Sequence, residues 1–189
     1  MKVLYFDTET TGLSPWKNDV VQIAGIIEID GKIEDAFEFK CQPHSYENIQ
    51  QKALDTNGFT IEQLRTFQSP QLVKMLITDI FDKYINKRDK EDKFYPAGQN
   101  VQFDIDMMRQ FFRKAGDNFW GSYCNYHKID LLALTTVLKY KGIIDVPNLK
   151  LVTIAKYLGI EFDAHDALAD IKTTRKCLLI LMDKYIKNA

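Results

Sequence analysis

The sequence predicts one α/β domain over residues 1–189, with a mixed five-stranded sheet (an antiparallel hairpin plus parallel strands) and helices on both faces. Three observations carry this. A chain of 189 residues is long enough for one ordinary domain with a core of its own. The β-prone runs gather at the N-terminal end and include a strong hairpin signal. Beyond them, apolar residues recur at spacings of three and four with short β-prone pieces between, the alternation that lays helices against a sheet.

Residues 2–6 form a β-prone run that enters a turn at Asp7-Thr8-Glu9-Thr10-Thr11-Gly12, so acidic groups stand at the end of the first strand. Residues 20–29 and 32–41 are two more β-rich runs, joined at Asp30-Gly31, which favours a two-residue hairpin turn. Helical periodicity follows over 60–67, 70–85, 101–115, 130–140, 149–158 and 167–186. Short strands are expected at 94–97 and around 122–124. Residues 86–93 are dense in charge and carry no apolar position, which reads as a solvated loop. Repeats, low-complexity tracts and an interdomain linker are not found.

Hydrophobic residues make up 46% and charged residues 27%, ordinary values for a globular chain and too polar for a membrane or fibrous one. The longest apolar stretches fall short of a membrane span, and the N-terminus lacks a basic-then-apolar leader, so the expected location is cytoplasmic, neither membrane-bound nor secreted. Cys41, Cys124 and Cys177 are too far apart for a zinc or redox motif and read as reduced, partly buried thiols. A formal net charge of −1 gives no global pull on a polyanion, so nucleic-acid binding would rest on a local patch or on bound cations.

Side chains alternate along a strand, so Asp7 and Glu9 project the same way, close enough for one divalent ion to reach both. Taken alone, such a pair does no more than solvate a turn. Asp104 lies at a helix start after the turn-prone Gly98-Gln99-Asn100, where a carboxylate also suits the positive end of the helix dipole. Asp106 points to another side, and Asp104, bracketed by Phe103 and Met107, is the better candidate for a cluster facing the sheet. His165 and Asp170 would diverge by about 140° inside one helix. With His165 in the loop just before the helix and Asp170 one turn in, both can face one cleft, and that arrangement is expected. Each element separately admits a bland explanation: a capping histidine, a helix-start acid, or core packing for Phe59 and Phe103.

Together the elements resemble the DEDDh (DnaQ-like) exonuclease family, which includes the DNA polymerase III epsilon proofreading subunits and ribonuclease T. The resemblance rests on Phe6-Asp7-Thr8-Glu9-Thr10-Thr11-Gly12-Leu13, on Gly98-Gln99-Asn100-Val101-Gln102-Phe103-Asp104, and on His165-Asp166-Ala167-Leu168-Ala169-Asp170. Weaker echoes are Asn57-Gly58-Phe59-Thr60 and Ile129-Asp130-Leu131-Leu132. The likeness spans nearly the whole chain. One departure is Asp166, where many members carry Arg or Asn after the histidine.

The resemblance implies a ribonuclease-H-like fold and a 3′→5′ exonuclease that releases nucleoside 5′-monophosphates from single-stranded DNA or RNA ends, of the DNA proofreading or repair type. It implies two divalent ions, Mg²⁺ or Mn²⁺, held by Asp7, Glu9, Asp104 and Asp170, with His165 as the base, a task suited to an imidazole titrating near neutrality. It also implies that Thr10, Leu13, Phe59, Asn100 and Phe103 hold the terminal nucleotide, and it leaves a DNA polymerase as a potential partner. Oligomeric state is left open. The competing expectation is a catalytically inactive, nuclease-like domain that binds nucleic acid or a partner. A Rossmann nucleotide-binding domain is disfavoured, because acids rather than a glycine-rich phosphate loop follow the first strand.

Overall fold

The computed structural model describes residues 1–161 and 167–185. Five strands, β1 (Lys2–Thr10), β2 (Val20–Ile29), β3 (Lys32–Lys40), β4 (Tyr95–Gly98) and β5 (Ile129–Asp130), form one sheet in the order β3-β2-β1-β4-β5. The first three strands pair antiparallel, and β1 pairs parallel with β4, as β4 does with β5. At the hairpin between β2 and β3, Asp30 and Gly31 have φ of 50° and 85°. Positive φ at both central positions matches the right-handed twist of the flanking strands, which is why Asp-Gly marks such turns.

Helices α1 (Gln51–Asn57), α2 (Ile61–Thr66) and α3 (Pro70–Phe81) precede β4; α4 (Gln102–Lys114) and α5 (Trp120–Tyr123) follow it. After β5 come α6 (Leu131–Tyr140), α7 (Leu151–Tyr157) and α8 (Ala167–Tyr185). The two faces of β1 sort these helices. Leu4 and Phe6 join Val73, Ile77 and Phe81 of α3, Met108 and Phe112 of α4, and Trp120 of α5 in one core. Val3 and Tyr5 join Leu138 of α6, Ile154 of α7, and Ile171 and Leu178 of α8 in a second core on the other face. Each of these buried aliphatic or aromatic side chains stabilises the fold by roughly 1.5–3 kcal/mol relative to exposure. Helices therefore cover both faces of a mixed sheet, the ribonuclease-H-like arrangement.

The structure corrects several local expectations. β1 does not turn at Asp7; it continues to Thr10, paired along its length with β2. Residues 122–124 are not a strand: Trp120 and Tyr123, three apart, are both buried from one short helix, and Cys124 makes only an isolated bridge to Phe94. The fifth strand is the two-residue β5 instead. The expected helix 70–85 ends at Phe81. Helix α1 went unforeseen, being seven residues long with Leu54 as its one buried aliphatic side chain. Residues 86–93 are turn and bend and largely exposed, as a charge-dense stretch should be.

No helix among the described residues is long and apolar enough to cross a membrane. Cys41, Cys124 and Cys177 are free and buried, and burial pushes the Cys41 thiol up to about 12 and the Cys177 thiol up to about 11.

Candidate active site

Pairing between β1 and β4 covers Val3 to Tyr5, so the second half of β1 runs on beside β2, past the stretch where β4 joins it. Ligands collect beyond the carboxyl ends of parallel strands, where a sheet reverses its winding, and this is where Asp7 and Glu9 stand. By alternation they share a face with Val3 and Tyr5, the face that α8 covers, while Thr8 projects towards α4. Asp7 and Glu9 are half-buried and Thr8 is buried.

Asp104 comes from the opposite layer. It sits in the first turn of α4, is 3% exposed, and its Oδ1 accepts two bonds from Thr8, one from the backbone N–H at 3.0 Å and one from the hydroxyl at 2.7 Å. Gly98 lets α4 start this close to β1. A Cβ there would meet Val101 side-chain atoms at 3.0 Å and the Phe6 carbonyl oxygen at 3.1 Å. Next to it Asn100 adopts φ 58°, which asparagine tolerates better than most residues, and its N–H donates to Asp130 Oδ1 at 3.0 Å. Asp170 lies in the first turn of α8, as expected. His165 lies outside the described residues.

Electrostatics join the pieces. Burial first, then the charges of Asp104, Glu9 and Asp170 in that order, hold the Asp7 carboxyl well above the usual range. Burial raises Asp104 to about 7, against the Thr8 bonds, which favour its ionised form, and with a smaller push from Asp130. Carboxylates from β1, α4 and α8 thus act together on Asp7. Hard oxygen donors of this kind suit Mg²⁺ or Mn²⁺ by charge and by ligand type. Among the described residues no group of three or more His, Cys, Asp or Glu side chains is placed to hold a metal ion.

The expected substrate-side residues divide in two. Asn57 ties Thr10 to Phe59: its side chain donates to the Thr10 carbonyl at 3.2 Å and accepts from Phe59 N–H at 3.2 Å. Phe59 packs edge-on against Phe67 at 5.3 Å with Lys40 Nζ 5.2 Å from its ring centre, beside a cavity of about 420 Å³ lined by Gln51, Leu54, Gly58, Thr60 and others. Thr10 is buried, its hydroxyl donating to the Gly12 carbonyl. Leu13, by contrast, is 78% exposed, and Asn100 is exposed. Phe103 is half-buried against the first core, so packing accounts for part of it.

Comparison with known proteins places this geometry. A family model described as "Exonuclease" (RNase T) matches residues 4–178. The chain belongs to the RNase T exonuclease family. The PolC-type DNA polymerase III of Bacillus cereus is 27% identical over 184 residues, 97% of this chain and 11% of that protein. That of Halalkalibacterium halodurans is 30% identical over 170 residues, 89% of this chain and 10% of that one. The chain thus spans about a tenth of the length of these curated relatives. Among solved structures, Escherichia coli exonuclease I in a zinc-bound complex with single-stranded DNA superposes with a TM-score of 0.81 at 23% identity, covering 97% of this chain and 41% of that one. The same enzyme with a dT13 oligonucleotide gives 0.78 at 22% identity, covering 99% and 42%. At this identity the structures establish the shared ribonuclease-H-like fold.

In this exonuclease domain two residues not singled out from the sequence stand beside the site. Thr8 holds Asp104, and the strict alternation of β1 was a signal that its side chain faces away from the Asp7 and Glu9 pair. Asp130 caps α6, accepting from Leu132 N–H at 2.9 Å as well as from Asn100; the Ile129-Asp130-Leu131-Leu132 echo pointed to it without giving it a role.

Proposed function

We propose that this domain hydrolyses the terminal phosphodiester at the 3′ end of a single strand, releasing nucleoside 5′-monophosphates, with two Mg²⁺ or Mn²⁺ ions held by Asp7, Glu9, Asp104 and Asp170. The observation that carries this is the convergence on Asp7, whose carboxyl feels Asp104, Glu9 and Asp170 from three separate segments. Bound ions of this kind neutralise the phosphate, acidify the attacking water and stabilise the leaving 3′-oxygen. The chain supplies the rest. β1 presents Asp7 and Glu9 on one face, Thr8 fixes Asp104 across from them, and His165 takes the proton of the attacking water. Thr10, Leu13, Phe59, Asn100 and Phe103 seat the terminal nucleotide, with stacking that tolerates any base.

DNA is favoured as substrate, in proofreading or repair. The similar proteins bear the name of a DNA polymerase, and the similar structures were solved with single-stranded DNA and with dT13. Association with a polymerase, in the same chain or another, belongs to the same reading.

The test is degradation of 3′-labelled and 5′-labelled single-stranded DNA and RNA with Mg²⁺, Mn²⁺ or EDTA. The expected result is metal-dependent release of mononucleotides from the 3′ end, faster on DNA, abolished in Asp7→Ala together with metal binding by calorimetry. His165→Ala should retain metal affinity and lose most turnover. Wild-type activity no higher than that of Asp7→Ala would instead mark a binding module.

A further inference from the structure

Residues 11–19, which lead out of β1, are tied down at Thr11, Ser14, Asn18 and Asp19. Thr11 N–H donates to the Asp19 carbonyl at 2.8 Å, and Asp19 N–H to the Thr11 hydroxyl at 2.9 Å. Asn18 accepts from Ser14 N–H at 2.9 Å and donates to the carbonyls of Thr11 at 3.3 Å and Asn48 at 2.6 Å. Lys114 of α4 donates to the Asn18 carbonyl at 2.9 Å and pairs with Asp19 at 2.6 Å. Within this anchored loop Leu13 is 78% exposed and Trp16 69% exposed. The guanidinium of Arg113 lies 5.7 Å from the centre of the Trp16 ring. Pro15 and Trp16 form one wall of a depression of about 420 Å³ whose other wall is Asp106, Arg109 and Gln110 of α4.

We propose that Trp16, with Arg109 and Arg113, is a platform for the single strand upstream of the nucleotide being removed, the base stacking on the indole and the phosphates meeting the arginines. This rests on the exonuclease reading and extends it away from the acids. In a helix with about 100° per residue, Asp106, Arg109, Gln110 and Arg113 fall on the side of α4 opposite Asp104. The platform therefore lies outside the catalytic cluster, and the loop connects the two. Leu13 and Trp16 are three residues apart, at most ~10 Å between Cα atoms, so adjacent nucleotides of one strand can touch both.

Charge and shape select the occupant. Arg109 lines the depression and pairs with Asp106 at 3.6 Å, Arg113 stands over the Trp16 ring, and Asp19 of the loop is paired with Lys114. In a chain of net charge −1 this is a local cationic patch suited to a polyanion. A flat indole beside a guanidinium gives every base a π-face without selecting its identity, as an end-trimming enzyme requires. The ordering of the loop is settled before the ligand arrives, so little conformational entropy is lost on binding.

The chain has two tryptophans, and Trp120 is 2% exposed, so a ligand-induced change in indole fluorescence reports Trp16. The intact protein in EDTA is titrated with dT10 and, separately, with thymidine 5′-monophosphate. Quenching by dT10 and not by the mononucleotide is expected. In Trp16→Ala the affinity for fluorescently labelled dT10, read by anisotropy, should fall roughly five- to hundredfold, the equivalent of ~1–3 kcal/mol for one stacked base, and Trp16→Phe should recover most of it. Arg113→Gln should flatten the salt dependence of dT10 binding. Unchanged dT10 affinity in Trp16→Ala, or no quenching of wild type by dT10, overturns the platform and leaves the ledge to a protein partner. The exonuclease reading is judged apart, by wild-type hydrolysis with Mg²⁺ of the p-nitrophenyl ester of thymidine 5′-monophosphate, which has no upstream strand.

Discussion

Thr8 gives both of its donors to one oxygen of Asp104, so a residue flanked by two acids on one face of β1 controls a third acid arriving on the other. Hydrogen bonds to a charged group contribute about 1.5–3 kcal/mol each, and here they favour the ionised carboxylate against burial. Thr8→Val keeps the shape and the backbone donor and removes the hydroxyl. It is expected to lower kcat about tenfold and to raise the Mg²⁺ concentration for half-maximal rate, with Thr8→Ser recovering most of both. A metal titration of initial rates checks this; a variant that loses thermal stability but keeps its Mg²⁺ dependence would reduce Thr8 to a packing residue. At this scale the sequence was informative about charge and poor about neighbours. Asp7, Glu9, Asp104 and Asp170 could be picked out by their joint order along the chain, which resembles a family's motifs, because each alone would equally suit a turn or a helix start. Trp16 could not, because nothing in its own neighbourhood says that an indole on a firmly bonded loop stays in solvent.

The elements that bring the acids together depend on close approach at Gly98. β4 ends there, and α4 must begin almost on top of β1 for Asp104 to reach Thr8. In Gly98→Ala the new methyl would press on Val101 and on the Phe6 carbonyl, which is backbone in the middle of the sheet and gives way poorly. The expected cost is about 1–3 kcal/mol of stability, the usual penalty of overpacking, measured by urea denaturation. Activity should fall further than the population of folded protein explains, since the shift moves Asp104. A variant as active as wild type once corrected for folding would show that the acid site tolerates a displaced α4. Long periodic segments and the Asp-Gly hairpin were legible because many residues vote for each. The short pieces were not: α1 offers one buried aliphatic side chain, α5 is four residues whose aromatics resemble a strand's, and β5 is a strand of two residues recognisable only by its neighbour β4.

For the molecule as a whole, two apolar cores on either side of the sheet hold in place an acid cluster that works against folding. Two unit charges 4 Å apart repel by about 4 kcal/mol at an effective dielectric of 20, so each carboxylate that ionises in the metal-free site weakens the fold. The sign of the pH dependence follows. Asp104 is raised from 3.8 to about 7, so between those values the folded protein holds a proton that the unfolded chain has released. Stability contributed by that proton is complete below the unfolded value and lost as pH rises through about 7, at up to about 1.4 kcal/mol per pH unit for each such group. Asp7 shifts in the same direction and adds to it. In EDTA the melting temperature should therefore fall between about pH 5 and about pH 7.5, a trend opposite to that of carboxylates stabilised by salt bridges. Mg²⁺ or Mn²⁺ should raise it, and more at the higher pH, because the cation binds the deprotonated acids and competes with protons for them. Asp104→Asn should flatten the slope in EDTA and shrink the response to metal. Thermal melts across this pH range, with EDTA and with Mn²⁺, decide the matter: a melting temperature independent of pH without metal would mean that the folded chain does not hold Asp104 and Asp7 protonated.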